Sequence, residues 1–244
     1  MQIVWKELKK NDKVYKEKWP FLNDVKGLSP STLTKPLALL VYGLDDDKEQ
    51  WMIDIIKKAQ LDGQEYEKAV QHYLTTTNFN DTLKKYYNNF NHTITKQKLL
   101  KTLKYLYAKN KEQNIKFKDM DIKFNRVGYA MYKDTFIACE NDIEFEREIW
   151  ECKKTNLKYS KDKNKEFATL LMYEIQCYMQ HLCFNKKIKY LWALTPNKLN
   201  CKEVEFRDDI EEWIDYLLSI KDLSKQEMYN KILYRITIGE LKWD

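Results

Sequence analysis

Asp142, Glu151 and Lys153 are two carboxylates and an ammonium at positions that a β-hairpin would bring onto one face. Across residues 136–155, FIACENDIEFEREIWECKKT, Phe136, Ala138, Glu140 and Asp142 alternate with Ile137, Cys139, Asn141 and Ile143, and Ile149, Glu151 and Lys153 alternate with Trp150 and Cys152. That is the period of two expected for strands. A turn at Glu146-Arg147 would set Asp142 opposite Glu151 and Glu140 opposite Lys153, with all four on one face. No Asn-Gly or Asp-Gly marks the turn, so the pairing rests on parity. Opposed carboxylates repel across an antiparallel pair. The arrangement calls for a cation between them, and Mg²⁺ or Mn²⁺, hard ions that take oxygen ligands, would serve.

Other segments must position whatever completes that face. Ser29-Pro30 marks a helix start with Pro at its first position, and the helix should run to about Tyr42, before Gly43. Asp45, Asp46 and Asp47 then open a second helix over 48–61, as favourable charges at its positive end. Gly63 should end it. QEYEKAVQHYL (64–74) forms a third helix, with Tyr66, Ala69, Val70 and Tyr73 as its apolar stripe and Glu67 beside the stripe. A lone glutamate there is ordinarily solvated. Residues 75–95, polar and rich in Asn and Thr, read as a mobile connection.

In KQKLLKTLKYLYAKNK (96–111), Leu99, Leu103 and Leu106 recur at helical spacing among lysines. Such a basic helix could lie along a phosphate backbone through Lys101 and Lys104, although a core-packed helix with a solvated lysine face is the commoner structure. Residues 119–132 read as strand and turn leading into the hairpin, and YSKDKNKE (159–166) as a polar linker. A long helix over 166–184 carries Leu170, Tyr173, Cys177 and Gln176 or Gln180 along one side. Residues 188–195 are a buried strand and 204–206 a further one. A helix over 208–219, capped by Asp208 or Asp209, and a last helix over 224–235 complete the chain.

A chain of 244 residues can bury a substantial core. One domain is expected: an arm over 1–27, a core over 28–219, and a C-terminal helix and tail over 220–244. The net charge of +6 is too mild to require a polyanionic partner. Five cysteines without a C-x-x-C read as free thiols in a reducing compartment. No apolar run approaches the roughly 18 residues of a membrane span, and MQIVWKELKKNDK lacks the apolar stretch of a signal peptide. The expectation is a soluble intracellular protein with no membrane partner. Neither glycine-rich phosphate-binding pattern occurs, which argues against nucleotide-binding enzymes. His72, His92 and His181 show no zinc spacing.

An acidic helix residue after a glycine, a strand aspartate, a Glu-x-Lys and a following glutamine-bearing helix suit phosphodiester hydrolysis. Carboxylates would hold Mg²⁺, and a lysine would position or deprotonate a water and offset phosphate charge. In that order, LSPSTL (28–33), GQEYE (63–67), ENDIEF (140–145), WECKKT (150–155) and YEIQCYM (173–179) resemble the PD-(D/E)XK nuclease superfamily, in particular its RecB-type and phage λ-type exonucleases and related viral recombinase exonucleases. The resemblance spans residues 28–215. It implies an α/β fold with a restriction-endonuclease-like core, a mixed sheet of about four or five strands flanked by helices, and extra N-terminal helices.

It further implies Glu67, Asp142 and Glu151 as Mg²⁺ ligands (Mn²⁺ substituting) and Lys153 as the catalytic lysine. Gln176 would orient that lysine or contact DNA. Tyr173 or Tyr178 would take the tyrosine role at the nucleic acid, Tyr178 lying two residues after Gln176 rather than the usual four. Asn141 stands where proline usually precedes the aspartate, and Glu140 and Lys154 would replace their neighbours if the strand shifted. DNA is the implied substrate in recombination or repair, and a homo-oligomer or a single-strand-annealing protein the implied partner. The alternatives are a nucleic-acid-binding or assembly protein on the same fold without cleavage, and a structural protein whose charged hairpin is a solvated sheet face.

Overall fold

The structure is a computed structural model and describes residues 8–9, 28–44, 50–112, 116–154, 162–195 and 198–238. In chain order its elements are β1 (Leu8–Lys9), α1 (Pro30–Leu33), α2 (Lys35–Tyr42), α3 (Gln50–Thr76), α4 (Phe79–Tyr86) and α5 (Thr93–Glu112). There follow β2 (Lys123–Phe124), β3 (Arg126–Tyr132), β4 (Thr135–Glu140), β5 (Ile143–Glu144), β6 (Glu148–Lys154) and α6 (Lys163–Phe184). The chain closes with β7 (Lys187–Thr195), β8 (Lys198–Asn200), α7 (Ile210–Ile220) and α8 (Lys225–Ile238).

A five-stranded mixed sheet runs β2-β5-β6-β7-β8, with β6 and β7 parallel and the other pairs antiparallel. Parallel neighbours need a crossover, and α6 supplies it. Phe167, Leu171, Ile175 and Met179 of α6 pack with Ile149, Ile188, α7 and α8 in one core. The other core joins Tyr66, Val70 and Tyr73 of α3 and Leu99, Leu103 and Leu106 of α5 to Ile143, Trp150, Cys152 and Leu191. Each such side chain contributes roughly 1.5–3 kcal/mol when buried. Because Trp150 and Cys152 point to the α3–α5 side, alternation turns Glu151 and Lys153 toward α6. The fold is α/β, a mixed five-stranded sheet flanked by helices, consistent with the restriction-endonuclease-like core that the resemblance implied.

A second sheet, β1-β3-β4, lies against α6. A Cβ on Gly128 of β3 would stand 2.8 Å from the Phe184 ring, so only glycine permits that approach. The predicted register of the hairpin holds: Ile143 pairs with Trp150 and Glu144 with Ile149. The long first strand does not. β4 pairs with β3, setting Glu140 opposite Val127 instead of Lys153. Fully buried Asn141 makes the change of sheet. Its N–H donates to Arg126 O (2.9 Å), its Oδ1 accepts from Arg126 N (3.2 Å), and its Nδ2 donates to Glu144 Oε2 (3.1 Å).

The helices also depart from expectation. Ser29 caps α1 through Thr32 N, and Gly43 ends α2 at φ +81°, but the helix breaks at Thr34 because Pro36 has no N–H to continue the ladder. α3 runs unbroken for 27 residues through Gly63. A mid-helix glycine costs only about 1 kcal/mol, and the packed Tyr66, Val70 and Tyr73 offset it. Residues 75–95 are not a loose connection. Asn78 caps α4 through Asp81 N (3.0 Å), Thr82 and Phe90 are buried, and the chain then meets Asp62.

Fully buried Asp62 of α3 accepts from Asn91 N (2.7 Å), Asn91 Nδ2 (2.9 Å), His92 N (3.1 Å), His92 Nδ1 (2.8 Å) and Thr95 Oγ1 (3.1 Å). It thereby caps the start of α5 from another helix. Burial works to raise its pKa, but the hydrogen bonds from Asn91, His92 and Thr95 prevail and hold it at about 2. Residues 204–206 form no strand; Val204 N instead donates to Ile188 O (2.8 Å). Asp209 sits at the start of α7, yet its carboxylate serves Arg207 and Trp213 Nε1 rather than the helix. The Asp45–Asp47 cap lies outside the described residues. So do residues 159–161 of the linker, whose remainder is the Asp162 cap and first turn of α6, and the arm apart from Leu8–Lys9, which pairs with Val127 and Arg126.

Candidate active site

Cys152 N donates to Asp142 Oδ2 (2.8 Å), fastening the aspartate against β6 just beyond the β5–β6 ladder. Lys153 Nζ lies between the two acids, 3.6 Å from Asp142 Oδ2 and 2.5 Å from Glu151 Oε1. Two amides of α6, one helical turn apart, complete the hold on Glu151. Gln176 Nε2 donates to Glu151 Oε1 (2.6 Å), and Gln180 Nε2 donates to Glu151 Oε2 (2.6 Å) and to Glu140 O (2.9 Å).

Half-buried Glu67 arrives from α3. Gln71 Nε2, one turn on, donates to Glu67 Oε1 (3.0 Å), to Asn125 Oδ1 (3.0 Å) and to Asp142 O (3.3 Å). That amide ties α3 to the segment entering β5. Burial raises the Glu67 pKa; the Lys153 charge opposes, and Glu151 and Glu140 add to the rise. Burial likewise pushes the Asp142 carboxyl well above its usual range, with Glu151 and Glu67 reinforcing against Lys153. Burial works against the Lys153 charge, yet Asp142 and Glu151 prevail and lift its pKa well above the ordinary lysine value. The ammonium therefore holds its proton firmly.

Tyr173 rests edge-on against Trp192, with ring centroids 5.0 Å apart, and Trp192 is the β7 register partner of Lys153. Among the described residues, the buried Trp192 indole N–H has no hydrogen-bond partner. Tyr178 turns elsewhere: its hydroxyl bonds Glu211, and its ring meets Phe206 at 5.1 Å. Lys101 and Lys104 stand exposed on α5, which packs on the sheet face opposite α6. The fold thus gathers Glu67, Asp142, Glu151, Lys153, Gln176 and Tyr173, and leaves Tyr178, Lys101 and Lys104 apart. Gln71 and Gln180, which join the cluster, each lie four residues from a predicted site residue, and that spacing is the signal that marks them.

As donors for a hard divalent ion, the acids fit in kind: Glu67, Asp142 and Glu151 are oxygen donors that outnumber the one ammonium, and burial, with the neighbouring carboxylates adding to it, raises the pKa of Glu67 and Asp142. In position, Lys153 fills the space between Asp142 and Glu151. Among the described residues no group of three or more His, Cys, Asp or Glu is gathered as an ion would require.

No family model matches the chain, and no curated protein sequence matches it. Two solved structures align with it. One is a proposed exonuclease from Eubacterium rectale, at 10% identity and a TM-score of 0.37, covering 97% of this chain and 89% of that one. The other is SSO0001, at 10% identity and a TM-score of 0.31, covering 87% and 96%. Likeness at this level leaves function to be argued from the site. No helix among the described residues is long and apolar enough to cross a membrane.

Proposed function

We propose that the protein is a metal-dependent nuclease that hydrolyses DNA phosphodiester bonds, acting as an exonuclease in recombination or repair. The observation that carries this reading is the Lys153 ammonium set between Asp142 and Glu151, with Glu67 in electrostatic reach. Glu67, Asp142 and Glu151 would hold Mg²⁺ or Mn²⁺. When bound, such an ion polarises the phosphate and lowers the pKa of a water. Lys153, whose proton is firmly held, acts as a cation that orients the water and offsets charge developing on the phosphate. Gln176 fixes the Glu151 oxygen that Lys153 also contacts. Tyr173 and the exposed Lys101 and Lys104 are candidates for holding the strand.

The test uses end-labelled linear and closed circular DNA with Mg²⁺, Mn²⁺ or EDTA. Linear DNA should be degraded from its ends only when the ion is present. Asp142→Asn and Lys153→Ala should each lower the rate by about 100-fold or more. Calorimetric Mn²⁺ titration then separates their roles. The amide removes a full charge from the donor set and should weaken binding, whereas loss of Lys153 should spare or tighten it. Cleavage by both variants at the parent rate would place the chemistry elsewhere. DNA binding without cleavage by the parent would favour the binding or assembly protein.

A further inference from the structure

We propose that the layer formed by α4 and α5 is a docking surface for single-stranded nucleic acid, in which lysines take the phosphates and Tyr107 takes a base. This extends the nuclease reading, which needs a hold on its strand, but the binding itself requires neither an ion nor cleavage.

Residues 78–112 contain eight lysines, one aspartate and one glutamate, a charge of +6. The rest of the chain holds 35 Lys+Arg against 35 Asp+Glu, so this one layer carries the whole net charge of the protein. Of the eight lysines only Lys98 is buried; Lys84, Lys85, Lys101, Lys104 and Lys111 are exposed. Charge gathered on one surface attracts a polyanion as the same charge spread evenly would not.

Packing makes the two helices one surface. Phe79 of α4 meets Tyr107 of α5 with ring centroids 6.1 Å apart, and Lys96 Nζ of α5 lies 5.4 Å from the centre of the Tyr87 ring just beyond α4. The helices therefore run antiparallel, and Lys84, Lys85, Lys101 and Lys104 all fall between these two crossings.

A solvated helix face does not account for the arrangement. Lysines in the last turn of a helix are favoured by its dipole, which explains Lys84, Lys85, Lys109 and Lys111. Lys101 and Lys104 stand in mid-helix, three residues apart, where like charges repel. No acid lies three or four residues from either of them. The fold thus tolerates repulsion that an anionic partner would relieve.

Tyr107 selects among polyanions. Its ring is braced edge-on by Phe79, yet it remains 50% exposed, on the same side of α5 as Lys101, Lys104 and Lys111. Those lysines span about 15 Å of the helix. Charges interrupted by an open ring match a strand whose bases are free to stack. A duplex keeps its bases inside and would leave the ring without a partner.

The experiment uses the full-length chain in EDTA. Fluorescence anisotropy follows binding of end-labelled oligothymidylate, oligouridylate and a DNA duplex of equal length across a range of salt. Lys101→Glu/Lys104→Glu removes the mid-helix charges and Tyr107→Ala the ring, while Lys163→Glu/Lys231→Glu, exposed on α6 and α8, makes the same charge change elsewhere. Thermal melting checks folding; if the first pair does not fold, Lys101→Gln/Lys104→Gln decides.

The Lys101/Lys104 pair should weaken single-strand binding by about 10-fold or more and flatten the log–log salt slope by about 1.4. Tyr107→Ala should weaken it by about 5–100-fold and leave the slope and duplex binding unchanged. The Lys163/Lys231 pair should bind as the parent does. The preferred oligonucleotide tells DNA from RNA, and either supports the surface. Equal losses from both lysine pairs, or parent affinity in every layer variant, would overturn the inference. So would a duplex preference with Tyr107→Ala silent, or displacement by polyglutamate as readily as by oligothymidylate, which would mark an acidic protein as the partner. A parent that cuts DNA while its layer variants bind normally keeps the proposed function and loses this surface. A parent that binds through the layer and never cuts does the reverse.

Discussion

Glu67 shows what gathering acids at one point costs the fold. A carboxyl whose folded-state pKa lies above its unfolded value holds its proton more tightly when folded. The stability it withholds is withheld in full above the folded pKa and returned as the pH falls to the unfolded value. For Glu67, burial is the largest cause, followed by Lys153 in opposition and Glu151 and Glu140 in support. Glu67→Gln should therefore stabilise the ion-free protein at neutral pH by about 1 kcal/mol, since the new amide keeps an oxygen for Gln71. The gain should shrink toward pH 4, and thermal melts in EDTA across pH measure it; a destabilised variant at neutral pH would mean that the Lys153 attraction outweighs burial. Asp142, Glu151 and Lys153 were legible because strand parity depends on the sequence alone. Gln180 was legible only as a residue on the right side of its helix, since spacing does not say which partner it meets.

At the scale of elements, Asp62 does for α5 what a local cap does for most helices, from roughly one supersecondary unit away. Residues 75–95 read as a connection because nothing near them in sequence declares that Asn91, His92 and Thr95 converge on a buried carboxylate. α4 did carry a signal, in its Asn78 cap, Asp81 in the first turn and Lys84 and Lys85 in the last. Gly63 misled in the other direction, because tertiary packing carried α3 through it. Asp62→Ala should cost about 3 kcal/mol by removing the buried carboxylate on which the hydrogen bonds of Asn91, His92 and Thr95 converge, as urea unfolding at neutral pH would show. Because its pKa is lowered to about 2, the stability Asp62 provides is complete above the ordinary aspartate range and lost as the pH falls toward 2. The gap between parent and variant should close over that acid window; a gap constant across it would mean that the carboxylate charge contributes nothing.

Across the whole molecule, the proposed site draws on both sides of the main sheet. Glu67 comes from the helix layer over one face, Gln176 and Gln180 from the helix on the other, and Asp142, Glu151 and Lys153 from the hairpin between them. The alternation and the long helix over 166–184 were readable from the chain. The division into two sheets was not, because alternation continues unbroken through Glu140, Asn141 and Asp142 while pairing changes partners there. Only the hydrogen bonds of Asn141 to Arg126 and Glu144 mark the switch.

The five thiols give this architecture a built-in reporter. Cys139, Cys177 and Cys183 lie in the core around α6, Cys152 lies in the core beneath α3 and α5, and Cys201 is partly accessible. Burial, first among the causes, pushes the Cys139, Cys152 and Cys177 thiols well above the ordinary value and that of Cys183 to about 12. An alkylating reagent should modify one cysteine per folded chain and all five after unfolding. Peptide mapping of any slower second modification would then tell which layer opens first, since Cys152 reports one face of the sheet and the other three its reverse. More than one rapid modification of the folded chain would contradict this placement. The protein thus carries, without substitution, a probe for the independent loosening of the two layers that its proposed site must keep together.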